Sequence, residues 1–143
     1  MRLIPLEQYK KIIQILPVLC VDVIITNPRG EYLLIKRRNE PCKGQWWVVG
    51  GRVLKGETLK EGVVRKVRQE TGLIVKKAWS IGYFEHRSKV NFFGLKMPYH
   101  AVSVVFAVGV DNDVKIRLDE QSEEWKFAKR LPVDFRVKKF MVS

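Results

Sequence analysis

The residues best placed to do chemistry fall in Gly50–Leu73, which reads GGRVLKGETLKEGVVRKVRQETGL. Lys66, Gln69 and Glu70 sit at offsets of three and four, so on a helix they share one face. Glu70 is the only carboxylate of the three. One carboxylate can hold one Mg²⁺, an ion that takes hard oxygen ligands and keeps waters beside a carboxylate and phosphates. The Gly50 carbonyl and a diphosphate would complete such a shell, and Lys66 would oppose a second ion. Arg37, Arg52 and Arg65 flank the region, and guanidinium groups grip phosphate oxygens in a planar fork. Their charge suits a leaving diphosphate, which gains negative charge as its bond breaks. Asp22 interrupts an apolar run, where an ionised carboxylate is costly unless paired. It is therefore either a functional group or the buried partner of an arginine.

The elements that must position these residues are legible in outline. Paired Gly50 and Gly51 allow a tight loop and close backbone approach to a ligand. Thr58 and Glu61 have the spacing of a capping box, Leu59, Val63 and Val67 form an inward stripe, and Gly72 ends the helix. Upstream, Leu6, Tyr9 or Lys10, Ile13 and Leu16 predict a helix over residues 5–16 that Pro17 stops. Val18–Thr26 reads as a buried strand, Asn27-Pro28-Arg29-Gly30 as a turn, Glu31–Lys36 as its hairpin partner and Trp46–Val49 as a short strand. Beyond the central helix, Ile74–Glu85 and Tyr99–Val110 are expected as longer strands, with a loop over 87–98 able to fold over a site. Asp111–Asp113 is a turn, Asp119–Glu124 an acidic loop and Trp125–Ala128 a short strand. Leu131–Ser143 is basic and is expected to form a short helix. Strands in mixed order around one central helix predict an α+β fold.

A chain of 143 residues with 46% hydrophobic and 29% charged content suits one soluble globular domain over 1–143. The net charge of +12 points either to phosphate-bearing ligands or to a solvated basic surface. The lysines are spread along the chain, which weakens the case for nucleic acid. Cys20 and Cys42 make no disulfide framework and no metal-binding pair. No leader is evident in the first residues. The run 12–25 is broken by Gln14, Pro17 and Asp22 and is shorter than the roughly 20 residues that span a bilayer. A cytoplasmic location is the expectation.

Gly51, Glu57, Arg65, Glu70, Gly72 and Leu73 match in spacing the box of the Nudix hydrolase superfamily, which this chain resembles. A full box has acids where Lys66 and Gln69 stand here. In that depletion the chain is most similar to the GDP-mannose mannosyl hydrolases, from about Pro17 to Phe127. LLIKRRNEPCKGQWW before the box and LDEQSEEW after it belong to the likeness. The resemblance implies an α/β/α Nudix sandwich with a mixed central sheet and a homodimer. It implies a Mg²⁺-dependent hydrolase of nucleotide sugars, GDP-mannose-like, with attack at the anomeric carbon. By the same resemblance Asp22, Arg37, Arg52 and Arg65 are catalytic, Arg37, Arg52 and His86 meet the substrate, and Gly50, Glu70 and Gln121 hold the metal. The partner it implies is a small nucleotide sugar, with neither nucleic acid nor membrane. Two departures stand out: Ser122 occupies the family's general-base histidine position, and Ala101 follows His100 where the family has tyrosine. Glu123, Glu124 or His100 would then have to activate water. The alternatives are a conventional pyrophosphohydrolase cutting a P–O bond and a non-catalytic binder of nucleotide sugars or nucleic acid.

Overall fold

The structure, a computed structural model, describes residues 4–38, 43–89 and 97–140. Cys42 and most of the loop expected over 87–98 lie outside the described residues. The chain runs α1 (Leu6–Ile15), β1 (Val18–Thr26), β2 (Tyr32–Arg37), β3 (Trp46–Trp47), β4 (Val49–Arg52), α2 (Leu59–Thr71), β5 (Trp79–Ser88), β6 (Tyr99–Gly109) and β7 (Ser122–Ala128). The seven strands form one mixed sheet ordered β3-β2-β1-β6-β5, with β4 paired to β1 and β7 to β2. Helices cover both faces, so the fold is the expected α+β sandwich.

Strand β1 is the hub because it is bonded on both sides. It runs parallel to β6, with Asp22 opposite Val105, and antiparallel to β4, with Asp22 opposite Gly50. Successive side chains of a strand point to opposite faces. Val21, Val23 and Ile25 therefore enter one core with Val63 and Val67 of α2, and all five are fully buried. On the other face, Val18 and Cys20 pack with Tyr99, Ala101 and the buried Tyr9 and Ile13 of α1. Ile24 joins Phe84 and Phe135 in a third cluster. Burying each valine of α2 stabilises the packing by about 1.5–3 kcal/mol.

Helix α2 begins and ends where its local signals put it. Glu61 N–H donates to Thr58 Oγ1 at 3.1 Å and Thr58 N–H to the Glu61 carboxylate at 2.6 Å. Gly72 closes the helix in the left-handed region, at φ 74°. Residues 66 and 70 are helical neighbours of the buried stripe at 63 and 67, so Lys66 and Glu70 end up half-buried at its margin.

Four sequence-based expectations are corrected. The glycine pair, expected as a loop after a strand over Trp46–Val49, lies in β4 and pairs with β1, because the bare backbone of Gly50 and Gly51 lets it pass close to Asp22 and Lys66. The strand expected from Ile74 starts at Trp79, because Leu73, Val75 and Ala78 pack against the α2 core as an irregular connection. The last strand starts at Ser122 rather than Trp125, extended by pairing with β2 up to Arg37. The tail is not helical over its described part. Instead Tyr83 and Lys138 exchange two backbone hydrogen bonds of 2.8 Å, an approach open because Gly82 has no Cβ to meet the Lys138 carbonyl.

Candidate active site

The helix margin, the glycine pair and the middle of β1 converge. Gly50 N–H donates to Glu70 Oε2 at 3.1 Å. A Cβ built on Gly50 would run into Asp22 Oδ1 and lie 2.6 Å from the Val21 carbonyl, so only glycine admits the Asp22 carboxylate here. A Cβ on Gly51 would lie 2.5 Å from Lys66 Cε and 3.1 Å from its Nζ. The lysine stem therefore crosses the bare backbone of β4, with its ammonium beside Gly51.

The two carboxyls are strongly perturbed. Burial pushes Glu70 up to about 7; Lys66 and the Gly50 N–H oppose the rise, while Asp119 and Asp22 add to it. Burial pushes Asp22 up to about 6, opposed by the Ser103 hydroxyl and the Trp47 indole. Ser103 Oγ is buried without a partner at full hydrogen-bond geometry. Asp22 adds to the proton affinity of Glu70, and two buried acids so placed form a site that takes up a proton or a cation. Among the described residues, no three His, Cys, Asp or Glu side chains converge on a metal position. The donors fit one oxygen-seeking ion whose remaining ligands are water and phosphate. Glu70 would hold it, with Asp22 beside the site and Asp119 at the rim.

Arg65 is occupied within the protein. Its Nε donates to Glu57 Oε1 at 2.6 Å, its Nη2 to Glu57 Oε2 at 3.1 Å and to the Arg52 carbonyl at 2.8 Å, and its Nη1 to Gln69 Oε1 at 3.3 Å. Arg65 holds Glu57 below the usual carboxylate range, and Glu57 also accepts the Leu54 N–H at 2.8 Å. The pair braces the loop between β4 and α2.

Arg52 ends β4 opposite Cys20, with its guanidinium 4.9 Å from the centre of the Tyr9 ring. Helix α1 thus supplies the platform that orients this arginine. Arg37 stands opposite Ser122 where β2 and β7 end; next to it Arg38 N–H donates to the Gln121 carbonyl at 2.9 Å, and Gln121 N–H donates to Asp119 Oδ1 at 3.1 Å. Asp119 is the residue that sequence reasoning missed. It links the Gln121 loop to Glu70, and only its place in the acidic run signalled it.

His86 is apart from Glu70. It lines an open cavity of about 440 Å³ with Phe84, Glu85, Arg87, Asp134, Arg136 and Lys138, a cavity that includes neither Glu70 nor Gly50. Partial burial lowers its pKa. Trp47 connects the two places, since its indole reaches Asp22 and its ring lies 6.1 Å from Phe84 and 5.4 Å from Phe135. Ser122 is 4% exposed and stands opposite Arg37. Glu124 reaches Lys36 at 3.8 Å.

A mixed sheet lies between helices, and a glycine pair in β4 leads to a capped helix that presents an acid beside β1. The family described as NUDIX domain matches residues 16–136. The low-salt glycan biosynthesis protein Agl8 of Haloferax volcanii is 34% identical over 126 residues, 86% of this chain and 78% of that protein. The ADP-ribose pyrophosphatase of Methanocaldococcus jannaschii is 35% identical over 117 residues, 81% of this chain and 65% of that protein. A solved MutT protein from Methanosarcina mazei Go1 superposes with a TM-score of 0.64 at 28% identity, over 78% of this chain and 77% of that one. This chain belongs to the Nudix hydrolase family, whose members generally use divalent metal ions. Among the described residues, no helix is long and apolar enough to cross a membrane.

Proposed function

We propose that this chain hydrolyses nucleoside diphosphate sugars of the GDP-mannose type, releasing a nucleoside diphosphate and free sugar. The observation that carries the reading is the make-up of the site, where Glu70 is the lone box carboxylate on its helix face and Lys66 stands one turn before it. In-line cleavage at phosphorus with paired metals uses a clamp on both the attacking and leaving oxygens, and this site lacks the acids for it. Cleavage at the sugar carbon instead asks for a cationic cradle around the leaving group and a base for water. A Mg²⁺ ion held by Glu70, with Gly50 and Gln121 beside it, would neutralise charge on the diphosphate.

In this reading Arg37 and Arg52 bind the diphosphate, and His86 meets the sugar beyond Trp47. Asp22 is the base. Its carboxylate takes a proton from water, the water oxygen bonds to the anomeric carbon, and the electron pair of the broken C–O bond leaves on the diphosphate. A carboxyl raised to about 6 accepts a proton more readily than an ordinary aspartate and is still mostly ionised near neutral pH. Arg65 keeps the loop in place. The similarity to Agl8, a low-salt glycan biosynthesis protein, supports a sugar substrate. A cytoplasmic homodimer acting on small molecules rather than on nucleic acid goes with this reading.

The name of the second relative, an ADP-ribose pyrophosphatase, favours a different cut at phosphorus. Turnover of GDP-mannose in isotope-labelled water separates the two. Label in the free sugar is the expected result; label in phosphate overturns the carbon-attack assignment. Tight binding of nucleotide sugars without any turnover would instead make this chain a binding protein.

A further inference from the structure

We infer that Lys66 is a built-in cation of this site, its ammonium standing in for a metal ion and binding the diphosphate directly. The inference rests on the proposed function only for the diphosphate group, not for the sugar or the bond that is cut.

Three observations support it. First, the position: Lys66 lies one helical turn before Glu70, and its stem passes over Gly51, where a Cβ would fall 2.5 Å from Cε. The ammonium is thereby delivered to the glycine pair, where the backbone is bare and a ligand can approach. Second, the partners: among the described residues Lys66 makes no hydrogen bond and no ion pair. A lysine four residues from a glutamate on a helix ordinarily pairs with it. Here Glu70 turns instead to the Gly50 N–H, and Lys66 acts on Glu70 and Cys20 only through its field. Third, the burial: Lys66 is half-buried with its stem held against Gly51, so its ammonium is presented at a defined place with its donors open to an anion. Three free donors on a compact charge suit phosphate oxygens, which lysine binds as a point charge. In a full box this position carries an acid, a ligand for a cation. With lysine the side chain is the cation itself.

The test is titration calorimetry with inorganic pyrophosphate in chelator-treated buffer. Wild-type protein should bind pyrophosphate without metal. Lys66→Met should weaken that binding by roughly 10- to 100-fold, the loss of one charge-assisted hydrogen bond, and Lys66→Gln should do the same. Thermal melts verify that both variants fold. A parallel Mn²⁺ titration should find one site in the wild type and a second in Lys66→Glu. Equal metal-free affinity in wild type, Lys66→Met and Lys66→Gln would overturn the inference, as would absence of metal-free binding by the wild type. Pyrophosphate carries neither sugar nor base. A failure here with label still found in the sugar refutes the role of Lys66 alone, whereas label in phosphate with these affinities intact refutes only the carbon attack.

Discussion

Replacing Glu70 by glutamine should stabilise the metal-free protein at alkaline pH while removing its response to metal. The carboxyl rises from its ordinary 4.5 to about 7 in the folded protein. A pKa that is higher in the folded state means that the fold favours the protonated form. This stabilising contribution is full below about pH 4.5 and is lost as pH rises through about 7. The rise corresponds to roughly 3 kcal/mol. Asp22 has the same sign and is lost earlier, as pH climbs from about 4 through 6. Metal-free wild type should therefore lose stability between pH 5 and pH 8. Glutamine keeps an oxygen for the Gly50 N–H and carries no charge, so Glu70→Gln should escape the upper part of that loss. At pH 8 it should be more stable by about 2–3 kcal/mol. For a domain of 143 residues that corresponds to a melting temperature about 7–10 °C higher. Divalent ions should raise the melting temperature of the wild type at pH 8 and leave the variant unmoved, and the variant's turnover should nearly vanish. Calorimetric melts at pH 5 and pH 8, with chelator or with Mg²⁺, measure all of this. A wild type equally stable at both pH values, with a variant no more stable at pH 8, would refute the buried-charge reasoning.

Arg65→Ala should destabilise the fold by about 2–4 kcal/mol in urea titrations, because it strands Glu57, whose side chain is only 12% exposed. Arg52→Ala should lower kcat with little change in KM, since the charge on the leaving diphosphate grows as the bond breaks; a pure rise in KM would mean uniform binding. Ser122→His should neither create a base nor raise turnover. Residue 122 is buried opposite Arg37, and an imidazole there should cost about 1–3 kcal/mol of stability by overpacking, visible as a lower urea midpoint.

Much of the fold was legible because its signals are local. Strand β1 falls on Val18–Thr26 as its β-branched run predicts, and α2 lies between the Thr58 cap and Gly72. The tail was misread because what decides it is not local. Its basic composition is compatible with a helix, but Phe135 is drawn into the cluster with Trp47 and Phe84, and the bare Gly82 leaves the Lys138 carbonyl a place on β5. Ile74 looked like strand from its branching, yet it is left exposed by a connection whose other apolar residues pack on α2.

The site divides along the same line. Asp22, Gly50 and Glu70 come together because β1 pairs with β4 and the Gly50 N–H meets Glu70; the helix face that carries Glu70 can be read from spacing, but the strand pairing cannot. Arg65 shows the limit of spacing: its match to the box is clear, but only the geometry shows all its nitrogens turned toward Glu57, Gln69 and the Arg52 carbonyl. Asp119 and Trp47 act across the sheet, with no periodic signal in the chain. Lys66 is the subtlest case. By spacing alone it reads as the surface partner of Glu70, a pair worth a few tenths of a kcal/mol. The glycine pair changes that outcome by offering Glu70 a backbone donor and giving the lysine stem a path across a missing Cβ. Both effects follow from two residues without side chains, which permit the charges above them to face a ligand instead of one another.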